Sequence, residues 1–303
     1  MNKPLVSIVM NCFNGEKFLK RALKSIINQK YKNWELIFWD NLSTDQSKNI
    51  FLGFKEKRFK YYCSEKFKKL YEARNDALNK CEGEYISFLD IDDYWYDEKL
   101  NKQIQLMEKN KDIGLVYSNF LIVNMSKFFL KKKKINTKLF RSGIITEYLI
   151  KNYFIGLLTV MIRKSFMKKD LSTFDSKYNM ISDFDYILRF SQTYKIDFLK
   201  ETLAVYNQHQ DQLQLKNIFS QATQFNEWYE NKVIKQQIFG TNKDFTTLKK
   251  RRNFLNFIKN TENKNIFTKF KKLFFYQNNL DKVKLFIIIL LPKKIFEKIF
   301  SLT

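Results

Sequence analysis

Three carboxylates fall within four positions of the stretch FLDIDDYW, residues 88–95: Asp90, Asp92 and Asp93. Like charges this close repel, and each loses hydration when a fold encloses it. Two carboxylates one residue apart, just after an apolar strand, can face one crevice and attract a hard divalent cation such as Mg²⁺ or Mn²⁺. The cation relieves the repulsion; it can also hold a diphosphate and offset its charge as it leaves. A second acidic pair, Asp183 and Asp185 in ISDFDYILRF, opens a helical stretch and offers a carboxylate for proton abstraction. The lone histidine, His209, follows the strand-like LAVYNQ. Each feature has a plainer structural reading. Asp93, Asp97 and Glu98, like Asp183, could simply favour a helix N-terminus. A single histidine is usually a satisfied or exposed polar residue, and D-x-D alone is a weak signal.

The elements that must position these groups follow from periodicity. Leu5 to Met10 is an apolar strand, Asn14-Gly15 a turn, and Phe18, Leu19, Ala22, Leu23, Ile26 and Ile27 recur at helical spacing. Trp34 to Trp39 is a second strand, with a helix N-terminus at Ser43 to Asp45. Phe59 to Cys63 is a third strand, Leu70 to Lys80 a helix broken by Gly83, and Tyr85 to Leu89 a fourth strand. Leu100, Ile104 and Met107 mark another helix, and GLVYSN another strand. This alternation predicts an α/β fold with a mostly parallel sheet flanked by helices. Ligands of such sheets bind beyond the carboxyl ends of the strands, where Asp40 and the Asp90–Asp93 cluster both fall.

Composition narrows the class without choosing it. The 303 residues carry a formal net charge of +24, which suits an anionic partner: nucleic acid, a membrane surface or a phosphorylated substrate. Cys12, Cys63 and Cys81 lack metal-ligand spacing and fit a reducing cytosol. No signal peptide is expected, because the chain enters PLVSIVMNCFNG almost at once. The longest apolar run, Leu285 to Leu291, is far short of the roughly 20 residues of a membrane span. A nucleic-acid-binding protein would use the charge and the Lys–aromatic interleaving, yet would not place three carboxylates at a strand mouth. A nucleotidyltransferase would show a Gly-rich basic phosphate loop near the N-terminus, and MNCFNGEKF is not one.

The ordered motifs VSIVMNCFNGEKFLKRALKSIINQKYKNWELIFWDNLSTDQS and EARNDALNKCEGEYISFLDIDDYW resemble the nucleotide-binding half of a family 2 glycosyltransferase, with a GT-A (Rossmann-like) fold. The likeness covers about the first 120 residues and continues more loosely through TVMIRKS, SDFDYILRF and YNQHQDQ. It implies an inverting, metal-dependent transfer of sugar from a nucleotide-diphosphate donor, UDP-linked, to a glycan or lipid-linked glycan hydroxyl. It also implies a domain over 1–215, with a nucleotide-sugar half (1–120) and an acceptor-side half (121–215). Residues 216–303 would form a helical C-terminal region. Position by position, Asn11, Phe13 and Asn14 would lie against the nucleotide, and Asp40 and Asn41 against base and ribose. Arg74 would meet base or phosphates. Asp90, Ile91 and Asp92 would match the D-x-D, with Asp90, Asp92 and His209 about a Mn²⁺ or Mg²⁺ ion and His209 also near the diphosphate. Asp183 would be the general base, with Ser182 where relatives often have Glu, while Asp185 points elsewhere as a capping or surface residue. Asn41 stands where many relatives have a second aspartate, Leu42 where they have glycine, and Asn207 where they have arginine. These departures leave an inactive, scaffold-like relative as the other reading.

Two basic stretches remain. KFFLKKKKINTKLFR, within 120–141, is expected to be a solvated loop or hairpin, with a phosphate- or lipid-facing patch as the alternative. In the tail, IFTKFKKLFFY and KLFIIILLPKKIFEKIF place Phe and Ile on one helical face among lysines. That pattern suits either an anionic membrane surface or packing on protein. A cytoplasmic enzyme, peripheral on the cytoplasmic face of the membrane, with no nucleic-acid partner, is the resulting expectation.

Overall fold

The computed structural model describes residues 3–125, 130–209 and 218–235. The chain divides into two compact units, Met1–Asn207 and Gln208–Thr303. In the first, β1 (Val6–Cys12) and β2 (Trp34–Asp40) are buried along their whole length, as strands covered on both faces must be. They pair in parallel, Val6 opposite Trp34 and Cys12 opposite Asp40. The helix between them, α1 (Glu16–Ile27), buries Leu19, Ala22, Leu23 and Ile26, the i, i+3, i+4, i+7 stripe that makes it amphipathic. α2 (Ser47–Leu52) leads to β3 (Phe59–Cys63), α3 (Leu70–Leu78) and β4 (Tyr85–Phe88).

Beyond β4 come β5 (Tyr94–Trp95), α4 (Lys99–Lys109), β6 (Ile113–Met125), β7 (Leu130–Lys134), α5 (Thr146–Lys151), β8 (Met161–Arg163), α6 (Ser182–Thr193) and β9 (Lys195–Gln208). The sheet order is β3-β2-β1-β4-β8-β6-β9-β5, with β7 on β6. The parallel pattern expected from the sequence belongs to β3, β2, β1 and β4. β8 then pairs antiparallel to β4, and β6 antiparallel to β8. The sheet is therefore mixed, because the chain after α4 returns through a hairpin and irregular segments rather than through further βαβ crossovers. Within the basic stretch of 120–141, β7 pairs antiparallel with β6, Leu121 opposite Lys134, with the Lys132, Lys133 and Lys134 side chains exposed.

Tyr94-Trp95 is the element that periodicity missed, since two residues carry no period. This strand pairs with β9 (Tyr94 opposite Val205), and Trp95 Nε1 donates to the Leu158 carbonyl at 2.8 Å. Gly83 is fixed by a close approach: a methyl there would lie 2.5 Å from the Ser7 amide nitrogen. In the second unit, α7 (Ile218–Trp228) continues into a π-helical stretch, Tyr229–Lys235. The amphipathic tail motifs of the sequence lie outside the described residues. No helix among those described is long and apolar enough to cross a membrane.

Candidate active site

The carboxyl ends of β1, β2 and β4 bring most of the expected residues of the first unit to one edge of the sheet. At the end of β1 the Asn11 side chain is buried, and neither of its amide atoms has a hydrogen-bond partner among the described residues. A buried amide left this way costs about 1–3 kcal/mol, so this position favours any ligand that supplies the missing bonds. Phe13 is 48% exposed. Asn14 adopts a left-handed φ of 51°, which Asn tolerates better than most residues, and its Oδ1 accepts from the Thr44 amide at 2.8 Å. Gly15 is not the left-handed residue of the turn. Ile91 reaches over it: a methyl there would lie 2.3 Å from Ile91 Cδ1. The D-x-D loop thus rests directly on the β1–α1 turn.

Hydroxyls and carboxylates of residues 43–47 stitch this turn together. Ser43 Oγ accepts from Asn14 N, Ser47 Oγ from Gly15 N, and Asp45 Oδ2 from Glu16 N, at 2.8–3.0 Å. Leu42, in the place of the relatives' glycine, holds φ at 65°, a conformation that costs a branched side chain about 1–2 kcal/mol. Asp40 is buried. Its Oδ1 accepts from Ser43 N at 2.8 Å and its Oδ2 from the Tyr61 hydroxyl at 2.7 Å. Burial and this bond to Asp40 push the Tyr61 hydroxyl pKa up. Asn41 is also committed: its Oδ1 accepts from the Lys68 amide at 3.1 Å and its Nδ2 donates to the Lys68 carbonyl at 2.8 Å.

The charged centre lies at the mouth of β4. Arg74, on α3, is almost fully buried and pairs with Asp90, whose side chain is 45% exposed. Its guanidinium also lies 4.9 Å over the Tyr71 ring. Desolvation at the base of the cleft pushes the Asp90 carboxyl above its ordinary range; Arg74 opposes this, while Asp92 and Asp183 add to it. Asp92 is half-buried, and its backbone carbonyl accepts from Arg21. Asp93 is buried and structural. Its Oδ1 accepts from the Asn207 amide at 2.9 Å, prolonging the β5–β9 ladder.

Asp183 arrives at this cluster from more than ninety residues further along the chain. It stands in the first turn of α6, where its Oδ1 accepts from the Phe184 amide at 2.9 Å. Burial raises its pKa; the Phe184 amide, the Arg74 charge and a hydrogen bond from Tyr71 favour the ionised form. Asn75 explains the delivery. Its amide bonds both the N–H and the carbonyl of Phe174 at 2.9 Å, and the Phe174 ring packs against Tyr71, Phe88 and Tyr186. α3 therefore anchors the segment that leads into α6. Tyr71 and Asn75 were not singled out from the sequence, although Tyr71 lies three residues before Arg74, on the same helical face.

One expectation fails at α6. Asp185 is neither a cap nor a surface residue: it is fully buried and pairs with Arg189 Nε at 2.7 Å, one helical turn on. The helix begins one turn earlier than an Asp185 cap would require, which turns that residue inward. Ser182, in the place of the relatives' Glu, donates to the Asp175 carbonyl at 2.8 Å. His209 is half-buried and belongs to the second unit.

Among the described residues, no group of three or more His, Cys, Asp or Glu could hold a metal ion alone. Asp90 and Asp92 still supply hard oxygen donors of the kind Mg²⁺ and Mn²⁺ prefer. Such ions commonly bind through one or two carboxylates, with substrate phosphates and water completing the shell. The donor set fits a cation that arrives with a diphosphate.

Residues 7–170 match the family model described as Glycosyl transferase family 2. The chain belongs to that family. The chain is 36% identical over 171 residues to the UDP-Glc:alpha-D-GlcNAc-diphosphoundecaprenol beta-1,3-glucosyltransferase WfgD of Escherichia coli; the match covers 55% of this chain and 63% of WfgD. It is 29% identical to the uncharacterized glycosyltransferase MJ1057 of Methanocaldococcus jannaschii, over 79% of this chain and 84% of that protein. Among solved structures, Staphylococcus aureus TarS 1–349 in complex with UDP superposes with a TM-score of 0.55 at 17% identity, over 79% of this chain and 76% of TarS. The mannosyltransferase PcManGT of Pyrobaculum calidifontis, in complex with GDP-Man and Mn²⁺, gives 0.59 at 13% identity, over 84% and 70%. At such identities the superpositions establish a GT-A-like fold.

Proposed function

We propose that this glycosyltransferase moves a sugar, with inversion, from a UDP-linked donor to a hydroxyl of a lipid-linked glycan. The observation that carries this reading is the convergence of Arg74, Asp90 and Asp183, from three separate elements, at the carboxyl edge of the parallel strands. The activity in the name of WfgD, a glucosyltransferase using UDP-Glc and a diphosphoundecaprenol-linked GlcNAc, supports the donor and acceptor classes. Asp90 and Asp92 would hold a Mn²⁺ or Mg²⁺ ion, which when bound offsets charge on the diphosphate.

In this reading Asp183 accepts the proton of the acceptor hydroxyl while the oxygen forms its bond to the anomeric carbon. The bond from that carbon to the diphosphate oxygen breaks, and its electron pair leaves with the nucleoside diphosphate. Burial raises the pKa of Asp183, which favours proton acceptance, while Arg74 and Tyr71 favour its ionised form. Arg74 orients Asp90 and lies beside the negative charge that develops on the leaving group. The lysine-rich tail suits an enzyme whose acceptor is anchored in an anionic membrane, on the cytoplasmic face; this part rests on sequence alone.

The test is a donor screen on the full chain with Mn²⁺, following released nucleoside diphosphate across a panel of nucleotide sugars. Asp183→Asn should retain donor binding and lose transfer by at least 10²-fold, the lower range for a positioned acid–base group. Normal transfer by that variant would remove Asp183 as the base. Failure of the wild-type chain to bind any nucleotide sugar would remove the donor reading itself.

A further inference from the structure

The two polar side chains at the end of β2 have partners within the protein. Asp40 is buried with its two oxygens on Ser43 and Tyr61, and the Asn41 amide is spent on the backbone of Lys68. Beside them, the same edge leaves two phenylalanines open to solvent. Phe13, on the turn that leaves β1, is 48% exposed; Phe67, on the segment between β3 and α3, is 61% exposed. Their ring centroids lie 4.9 Å apart with the planes at 69°.

The segment carrying Phe67 is fastened on both sides of it. The Lys66 carbonyl accepts from Ser64 Oγ at 2.6 Å, and Lys68 is held through its N–H and its carbonyl by Asn41. The Lys68 ammonium pairs with Asp76 on α3. A phenylalanine this exposed gains little from burial, so its fixed placement against Phe13 needs another reason. Two rings this close leave no slot for a base between them. Their edge-to-face arrangement instead forms an apolar corner, in which a flat ring can lie on one face and abut the other.

We infer that Phe67 is a base-recognition residue, pairing with Phe13 to form a corner that seats the nucleobase of the donor, and that Asn41 is the positioning residue that holds it there. The inference rests on the donor reading proposed above and extends it. The Asn41 amide can both donate and accept, which is what gripping one residue's N–H and C=O requires. Recognition by stacking is tolerant, because every base has a π-face.

Calorimetric titration of the full chain with UDP and Mn²⁺, together with melting curves, tests this. Stacking of a base on an aromatic ring predicts that Phe67→Ala raises the UDP Kd about five- to twenty-fold. Phe67→Tyr should restore binding, Phe67→Leu should not, and the melting temperature should stay within about 1 °C for so exposed a side chain. Asn41→Ala should weaken UDP binding in the same direction, and the double variant should bind no worse than the weaker single one, because the two residues act through one segment. A UDP Kd within two-fold of wild type for Phe67→Ala would overturn the corner, as would full rescue by leucine. A higher acceptor KM with unchanged UDP affinity would assign Phe67 to the acceptor instead. In those outcomes wild-type binding of UDP leaves the donor reading standing; if the wild-type chain binds no nucleotide, both readings fall together.

Discussion

Asp185 provides the sharpest test of how α6 is built. Its carboxylate is fully buried and meets Arg189 Nε at 2.7 Å, and Arg189 itself is 6% exposed. Asp185→Ala removes the close, buried counter-charge of the guanidinium and leaves only the exposed Asp170 carboxylate at 4.0 Å; loss of a buried partner costs about 3–5 kcal/mol in general. Arg189 keeps its bonds to the Asp170 and Thr173 carbonyls, so about 2–3 kcal/mol is the expected cost within that range. For a unit of this size each kcal/mol lowers Tm by about 2–4 °C, giving a drop of about 4–12 °C by calorimetry or circular dichroism. Replacing both members, Asp185→Ala with Arg189→Met, should recover much of the loss, since an apolar pair needs no compensation. A surface aspartate would behave differently, changing stability by no more than about 0.5 kcal/mol. An Asp185→Ala melting temperature within about 1–2 °C of wild type would refute the buried pair.

Two further outcomes follow from groups away from the site. Glu56 grips Arg58 through three hydrogen bonds, and chiefly this holds its carboxyl down at about 2. Its folded pKa is depressed, so the unfolded state binds more protons on acidification. The advantage of wild type over Glu56→Gln, read from urea melts, should be full at pH 7 and fade as pH falls from about 4.5 to about 2; a constant difference across that window would contradict the pair. The three thiols should also separate: Cys63 is exposed, whereas Cys12 and Cys81 are buried, and burial pushes the Cys81 thiol up to about 12. Native protein should therefore react with a thiol reagent at a single site mapped to Cys63, and denatured protein at all three; rapid labelling of Cys81 in the native state would be inconsistent with its burial.

What the sequence by itself determined was local. Alternating apolar periods placed β1 to β4 and the intervening helices within a residue or two, because strands buried on both faces and helices with one apolar stripe write their environment into composition. The same local order marked Asp40 and Asp90 as ends of strands and Asp183 as the start of a helix, while Arg74, in the middle of α3, was marked only by the family resemblance. Tertiary structure alone decided direction and partnership. It turned the second half of the sheet antiparallel, and it formed β5 from two residues that only β9 could stabilise. It sent Asp185 inward to Arg189. It also spent the Asn41 amide on Lys68, and so placed Phe67 beside Phe13. Such choices depend on which backbone groups and side chains meet across long stretches of chain, and a one-dimensional pattern carries the period of a face but not the identity of what will cover it.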